Sequence, residues 1–180
     1  MRRKNTTNQL MKEYIAESFI RLLEQRNLNN ITINEITKLA GVNRSTYYRN
    51  FSSTYEIIKF YIGNIMTEYL NEFSEKTDLS LVSYYTTLFQ CFYKHRKALL
   101  CIHRNSLSYL ALEVFNQSFT KKAINSDTSN KQLFELYYHT GGIYNFLLLW
   151  LEHNMKEEPE EMMKITLSIL PSDFLPYFKA

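Results

Sequence analysis

Apolar residues recur along the 180-residue chain at spacings of three and four, so the pattern predicts helices from end to end. Leu10, Ile15, Phe19, Leu22 and Leu23 mark the inner face of a first helix. Thr6 and Gln9 would open it as a capping box, and it should run to about Arg26. Asn27 follows, a residue that tolerates a left-handed C-cap. Ile33, Ile36, Leu39 and Ala40 give a short second helix one apolar face, with Thr32 and Glu35 as its capping box. Gly41 supplies the backbone freedom of a tight turn, and Asn43 caps a third helix. Ser53 with Glu56 opens a fourth, from about Thr54 to Glu75. Five more pieces follow, at roughly 80–94, 96–104, 106–123, 130–154 and 159–170, with a polar break from Asn125 to Asn130. Pro159 suits a first helical turn, and Glu160 and Glu161 suit its positive end. Pro171 and Pro176 stop the last helix and leave an aromatic tail, Phe174 to Phe178.

The third helix differs from the rest in what it exposes. Arg44, Ser45, Thr46, Tyr48 and Arg49 are all hydrogen-bond donors, which suit phosphates and base edges better than a core. Two short helices joined by a Gly turn form the arrangement that sets one helix into a DNA major groove. Charge agrees with this. Residues 1–60 carry ten basic and five acidic side chains, leaving −2 of the overall +3 for the remaining 120. A DNA-binding end on a near-neutral body has that footprint, although scattered surface charge would also produce it.

Composition narrows the class further. Four Gly and three Pro leave few breaks, which favours long helices, and 45% hydrophobic content is enough for a real core. The longest apolar run, Phe146 to Leu151, is far too short to cross a bilayer, and the N-terminus is no signal peptide. Cys91 and Cys101 make no disulfide framework and suit a reducing cytoplasm, where the chain is expected. Cys91, His95, Cys101 and His103 match no closed zinc pattern, so no metal or cofactor is expected. No phosphate-cradling Gly loop, nucleophile elbow or metallohydrolase His pair is present, so the chain does not read as an enzyme.

The run Ile36-x-x-x-Ala40-Gly41-Val42-Asn43-x-x-Thr46-x-Tyr48-x-x-Phe51 resembles the DNA-binding domain of the tetracycline-repressor (TetR/AcrR) family of bacterial transcription regulators. The resemblance is clear over residues 8–60. It implies an all-α homodimer with a helix-turn-helix domain, here residues 1–52, and a regulatory and dimerising bundle, here residues 53–180. Position by position it implies that Arg44 and Ser45 read base edges and that Arg49 serves bases or phosphates. Thr32, Thr46, Tyr48 and Asn50 would hold phosphates, Asn34 would reach the edge of the site, and Asn43 completes the set as the cap of the reading helix. Tyr47 stands where the family prefers Leu or Ile and is expected to pack. Thr54 replaces a Lys common at the start of the fourth helix, which should lower the salt dependence of binding by about one unit of slope. Arg2, Arg3 and Lys4 read equally as a DNA-following arm or a solubilising tail.

The segment from Gly141 to Glu152, with Pro159 to Met162, is similar to the penultimate and last helices of one branch of that family, where they make the dimer. Adjacent glycines in a helix let another backbone approach closely. Gly141, Gly142, Phe146, Leu149, Trp150, Met162, Ile165 and Ile169 are therefore expected at a dimer interface, with ordinary core packing as the competing reading. Tyr85, Phe89, Phe92, Tyr109 and Tyr138 would suit a pocket for a planar small-molecule effector, although aromatic stripes are more often plain core. The expected partners are double-stranded DNA, a second copy and such an effector, and no membrane. The chain thus reads as a repressor on a pseudo-palindromic operator. The alternative is an interaction protein or coactivator that works through the bundle, with weak or no operator binding.

Overall fold

A computed structural model describes the backbone of residues 2–123 and 128–170 and the side chains of residues 7–120 and 128–170. Among the described residues there are nine α-helices, one 3₁₀ turn (Leu28–Asn30) and no strand. The helices are α1 (Arg2–Leu23), α2 (Ile33–Ala40), α3 (Arg44–Asn50), α4 (Thr54–Ser74), α5 (Leu81–Lys94), α6 (Arg96–Arg104), α7 (Leu110–Ala123), α8 (Asn130–Glu152) and α9 (Pro159–Ile169). The chain is all-α. The side chains of Arg2, Arg3, Lys4 and Thr6, residues 125–127 of the polar break and the tail after Leu170 lie outside the described residues.

α1 begins ahead of the Thr6–Gln9 pair and ends at Leu23, and Asn27 is extended (φ −68°, ψ 151°) rather than left-handed. Leu10, expected inside, is 41% exposed, because burial along α1 begins only at Ile15, where other helices cover it. α7 starts at Leu110 rather than near 106. Ser106 takes a left-handed φ of 58°, and the Leu107 N–H returns to the Ile102 carbonyl, which closes α6 and delays the next helix.

α4 joins the small N-terminal trio to the bundle. It packs on α1 through one face and on α5 and α7 through another, burying Ile57, Ile58, Ile62, Ile65, Met66, Tyr69 and Phe73. Lys59 on α4 is ion-paired to Glu113 on α7 at 2.8 Å. α5 lies antiparallel to α9, since Gln90 and Tyr93 near its end bond Glu160 and Glu158 at the start of the other.

Several expected site residues belong to this interior. Trp150 is 1% exposed, packs edge-on to Phe89 and stacks on Tyr93, and donates Nε1–H to the Glu157 carbonyl at 3.1 Å. Met162 is buried in the same core, so neither residue presents exposed surface on the protomer. Phe146 is half-buried against that core, whereas Leu149, Ile165 and Ile169 face outward. The five residues expected to line a pocket are not brought together on one described cavity. Tyr85, Phe89 and Phe92 are packed solid, and Tyr109 and Tyr138 stand in solvent. A cavity of about 10 Å³, room for roughly one water, lies elsewhere, between Ile62, Leu99, Ala111 and Leu147. Cys91 and Cys101 are buried as small apolar groups, with burial pushing the Cys91 thiol up to about 12.

His139 is a buried titratable group whose protonation is coupled to folding. Its Nε2 lies 2.9 Å from the Tyr84 hydroxyl, and burial lowers its pKa from 6.5 to about 4. The unfolded chain takes up this proton below about pH 6.5, while the folded chain holds the ring neutral until about pH 4. The stabilisation is therefore complete above pH 6.5 and is lost on acidification. Stability should fall by about 2–3 kcal/mol between pH 7 and pH 4.5 from this group alone. Urea unfolding of wild type and His139→Gln checks this, since the variant should show a flatter decline over that window.

Candidate nucleic-acid interface

The α2–α3 pair is built on a few well-defined local bonds. Thr32 and Glu35 cap α2 reciprocally: the Thr32 N–H and hydroxyl donate to Glu35 Oε2 at 2.9 and 2.7 Å, and the Glu35 N–H returns to the Thr32 hydroxyl. The Thr32 hydroxyl bond, more than any other contact, holds the Glu35 carboxyl below the usual carboxylate range. Glu35 Oε1 also pairs with Arg26 at 2.8 Å, tying the turn after α1 to the start of α2. Gly41 turns the chain with φ 67°, a conformation open to glycine and strained for most other residues.

Asn43 Oδ1 caps α3 by accepting the Thr46 N–H and the hydroxyls of Thr46 and Ser45, all within 2.8 Å. Tyr47, 1% exposed, is the wedge under α3. Its ring lies 5.3 Å from Tyr48 and 6.4 Å from Phe51, which in turn meets Phe60 of α4 at 5.6 Å. The Lys12 ammonium sits 5.7 Å from the rings of both Phe51 and Phe60. Packing across the pair uses Ile36 and Thr37. Leu39 is 48% exposed, while Thr37 is buried with its hydroxyl bonded to the Ile33 carbonyl.

What remains outside is a polar, cationic surface. Thr32, Asn34, Asn43, Arg44, Ser45, Tyr48 and Arg49 are exposed, and Thr46 and Asn50 are half-buried. Arg44 rests against the Tyr48 hydroxyl at 3.4 Å, one turn along α3. Among the described residues neither Arg44 nor Arg49 has a carboxylate partner, and neither has Lys38, an exposed cation one turn beyond Asn34 that the motif did not single out. Unneutralised cations on an exposed helix are placed to meet phosphate or guanine edges. The Asn50 amide donates to the Thr46 carbonyl at 2.8 Å and its Oδ1 is buried, which leaves its second N–H for a phosphate. Ser45 and Thr46 must swing their hydroxyl hydrogens off Asn43 before they can donate elsewhere.

Two family models match the chain. One, described as bacterial regulatory proteins of the tetR family, covers residues 17–59, and the other, a transcriptional regulator C-terminal region, covers residues 80–172. The fold is similar to that of the dihydroxyacetone kinase operon activator DhaS, at 14% identity over 88% of this chain and 93% of that one, with a TM-score of 0.60. It is equally similar to a TetR transcriptional regulator from Streptococcus agalactiae 2603V, at 18% identity over 92% of this chain and 96% of that one, with a TM-score of 0.59. No curated protein matches the chain significantly in sequence.

Proposed function

The chain belongs to the tetR family of bacterial regulatory proteins, and from that premise we propose that it is a homodimeric repressor that reads an inverted-repeat operator through α3. One observation carries the reading. The outward surface of α2 and α3 is, apart from Leu39, made of hydrogen-bonding groups and cations without a carboxylate partner among the described residues, on a scaffold that buries Tyr47 and Phe51 beneath it. On this reading Arg44 reads a guanine edge, with Ser45 and Arg49 beside it. Thr32, Asn34, Thr46 and Tyr48 set the register on phosphates. Asn43 acts by holding α3, and Asn50 offers its second N–H to a phosphate. The DNA-binding unit spans residues 1–52, and residues 53–180 form the dimerising bundle.

The dimer surface we assign is the outer stripe of α8 and α9: Phe134, Tyr138, Gly141, Gly142, Leu149, Ile165 and Ile169. Phe134 and Tyr138 are 79% and 83% exposed, and they lie one turn apart on the side of α8 that carries the glycines. A Cβ added at Gly141 or Gly142 would meet nothing of the same chain, so nothing within the protomer calls for glycine there, whereas a second backbone would. Phe134→Arg with Tyr138→Arg should raise the dimer dissociation constant by roughly 100-fold or more without unfolding the chain. Sedimentation equilibrium reads this, and an unchanged dimer would place the interface elsewhere.

A second reading, action on a partner protein through the bundle, rests on Thr54, which stands where related regulators commonly place a Lys at the start of the fourth helix. Footprinting on DNA flanking the gene separates the two. Protection of two symmetric half-sites supports the operator reading, and its absence supports the partner.

A further inference from the structure

From Leu79 to Leu112 the chain has no Asp or Glu but four Lys or Arg: Lys94, Arg96, Lys97 and Arg104. Residues 61–180 together carry −2, so this +4 segment sits in a bundle whose remainder is −6. Lys94 is ion-paired to Glu68. Arg96, Lys97 and Arg104 are exposed on α6 and have no carboxylate partner among the described residues. With Leu100 and His103 they share its outer face, since their spacing keeps returning to one side of the helix. The Arg96 guanidinium lies 4.6 Å from the centre of the Tyr93 ring, which holds it over the start of the helix.

Helix stability does not explain this placement. Arg96 and Lys97 stand in the first turn of α6, where the partial positive charge of the helix end favours acids. Location supplies another reason. α6 packs against α1, and Asn105, next to Arg104, accepts the Leu28 N–H at 3.0 Å while donating to the Cys101 carbonyl at 2.9 Å. Leu28 lies only four residues before Thr32, at the entrance to α2. The Arg104 end of the cationic face therefore lies beside the segment that leads into the α2–α3 surface, with Arg96 and Lys97 along the same face toward the start of α6.

We propose that the Arg96–Lys97–Arg104 face of α6 is a second phosphate-binding surface, gripping the duplex backbone beside the site occupied by α3. It adds affinity without reading sequence, and it rests on the DNA-binding reading above. The test compares full-length wild type, Arg44→Ala and the triple variant Arg96→Gln, Lys97→Gln, Arg104→Gln, titrated with operator and random duplexes over a range of salt. Each phosphate contact contributes about 0.9 to the slope of log K against log salt, and a dimer carries each cation twice. The triple variant should lose roughly two to five units of slope and at least about tenfold in affinity at physiological salt, with its operator-to-random ratio kept. Its melting temperature should hold or rise, because two cations leave the first turn of α6. Arg44→Ala should do the reverse, losing the ratio and keeping most of the slope. A triple variant with wild-type slope and affinity overturns the proposal and leaves α6 to an acidic protein surface. Wild type without salt-dependent DNA binding overturns the DNA-binding reading as well.

Discussion

Arg44→Ala should lower operator affinity by roughly 30-fold to 20,000-fold, since a bidentate guanine contact is worth about 1–3 kcal/mol and a dimer makes two. Affinity for random DNA should change little. The structure makes this variant informative because Arg44 is exposed and, among the described residues, its one side-chain hydrogen-bond partner is the Tyr48 hydroxyl at 3.4 Å. Its loss leaves the Asn43 cap and the Tyr47 wedge in place, so the melting temperature should hold. Arg44→Lys keeps the charge but not the planar fork, and should not recover the preference for operator over random DNA. Gel-shift titrations on operator and scrambled duplexes measure both.

Trp150→Ala should cost about 3–5 kcal/mol of stability, the range for deleting a large buried aromatic. For a chain of this size that lowers the melting temperature by roughly 6–20 °C at fixed protein concentration. The side chain fills the space between Phe89 and Tyr93, and its removal also leaves the Glu157 carbonyl without its Nε1–H partner. A residue at the rim of a dimer would behave differently, with association weakened and the protomer intact. Calorimetry together with sedimentation on Trp150→Ala and on the Phe134/Tyr138 variants separates core from interface. A Trp150→Ala protein that melts normally but dissociates would contradict the assignment of this residue to the core.

The sequence made some parts of the structure legible and not others. Capping boxes are local, and those at Thr32 and Ser53 could be read directly because the bonds join residues three apart. Tyr47 was legible as packing because the motif reserves that position for an apolar side chain. Burial was harder to read. Thr37 counts as polar in any pattern, yet it is buried because its hydroxyl bonds a carbonyl of its own helix, while Leu39 takes the exposed side. In α8 the run from Phe146 to Leu151 is apolar all round, so periodicity could not say which side faces the protomer. Trp150 turned inward and Leu149 outward. Phe134 and Tyr138 carried a usable signal, an aromatic pair one turn apart on the glycine side of the helix. The delayed start of α7 had none, since Ser106 adopts a left-handed φ that its type seldom takes.

Selection of DNA by the wild-type dimer from a pool of random duplexes tests the central claim most directly. If α3 reads sequence from two symmetry-related copies, the recovered duplexes share an inverted repeat whose half-sites lie about one helical turn apart, or a multiple of it, and Arg44→Ala recovers no shared sequence. Recovery by the wild type of duplexes with no common sequence would contradict the claim that the α2–α3 surface reads an operator.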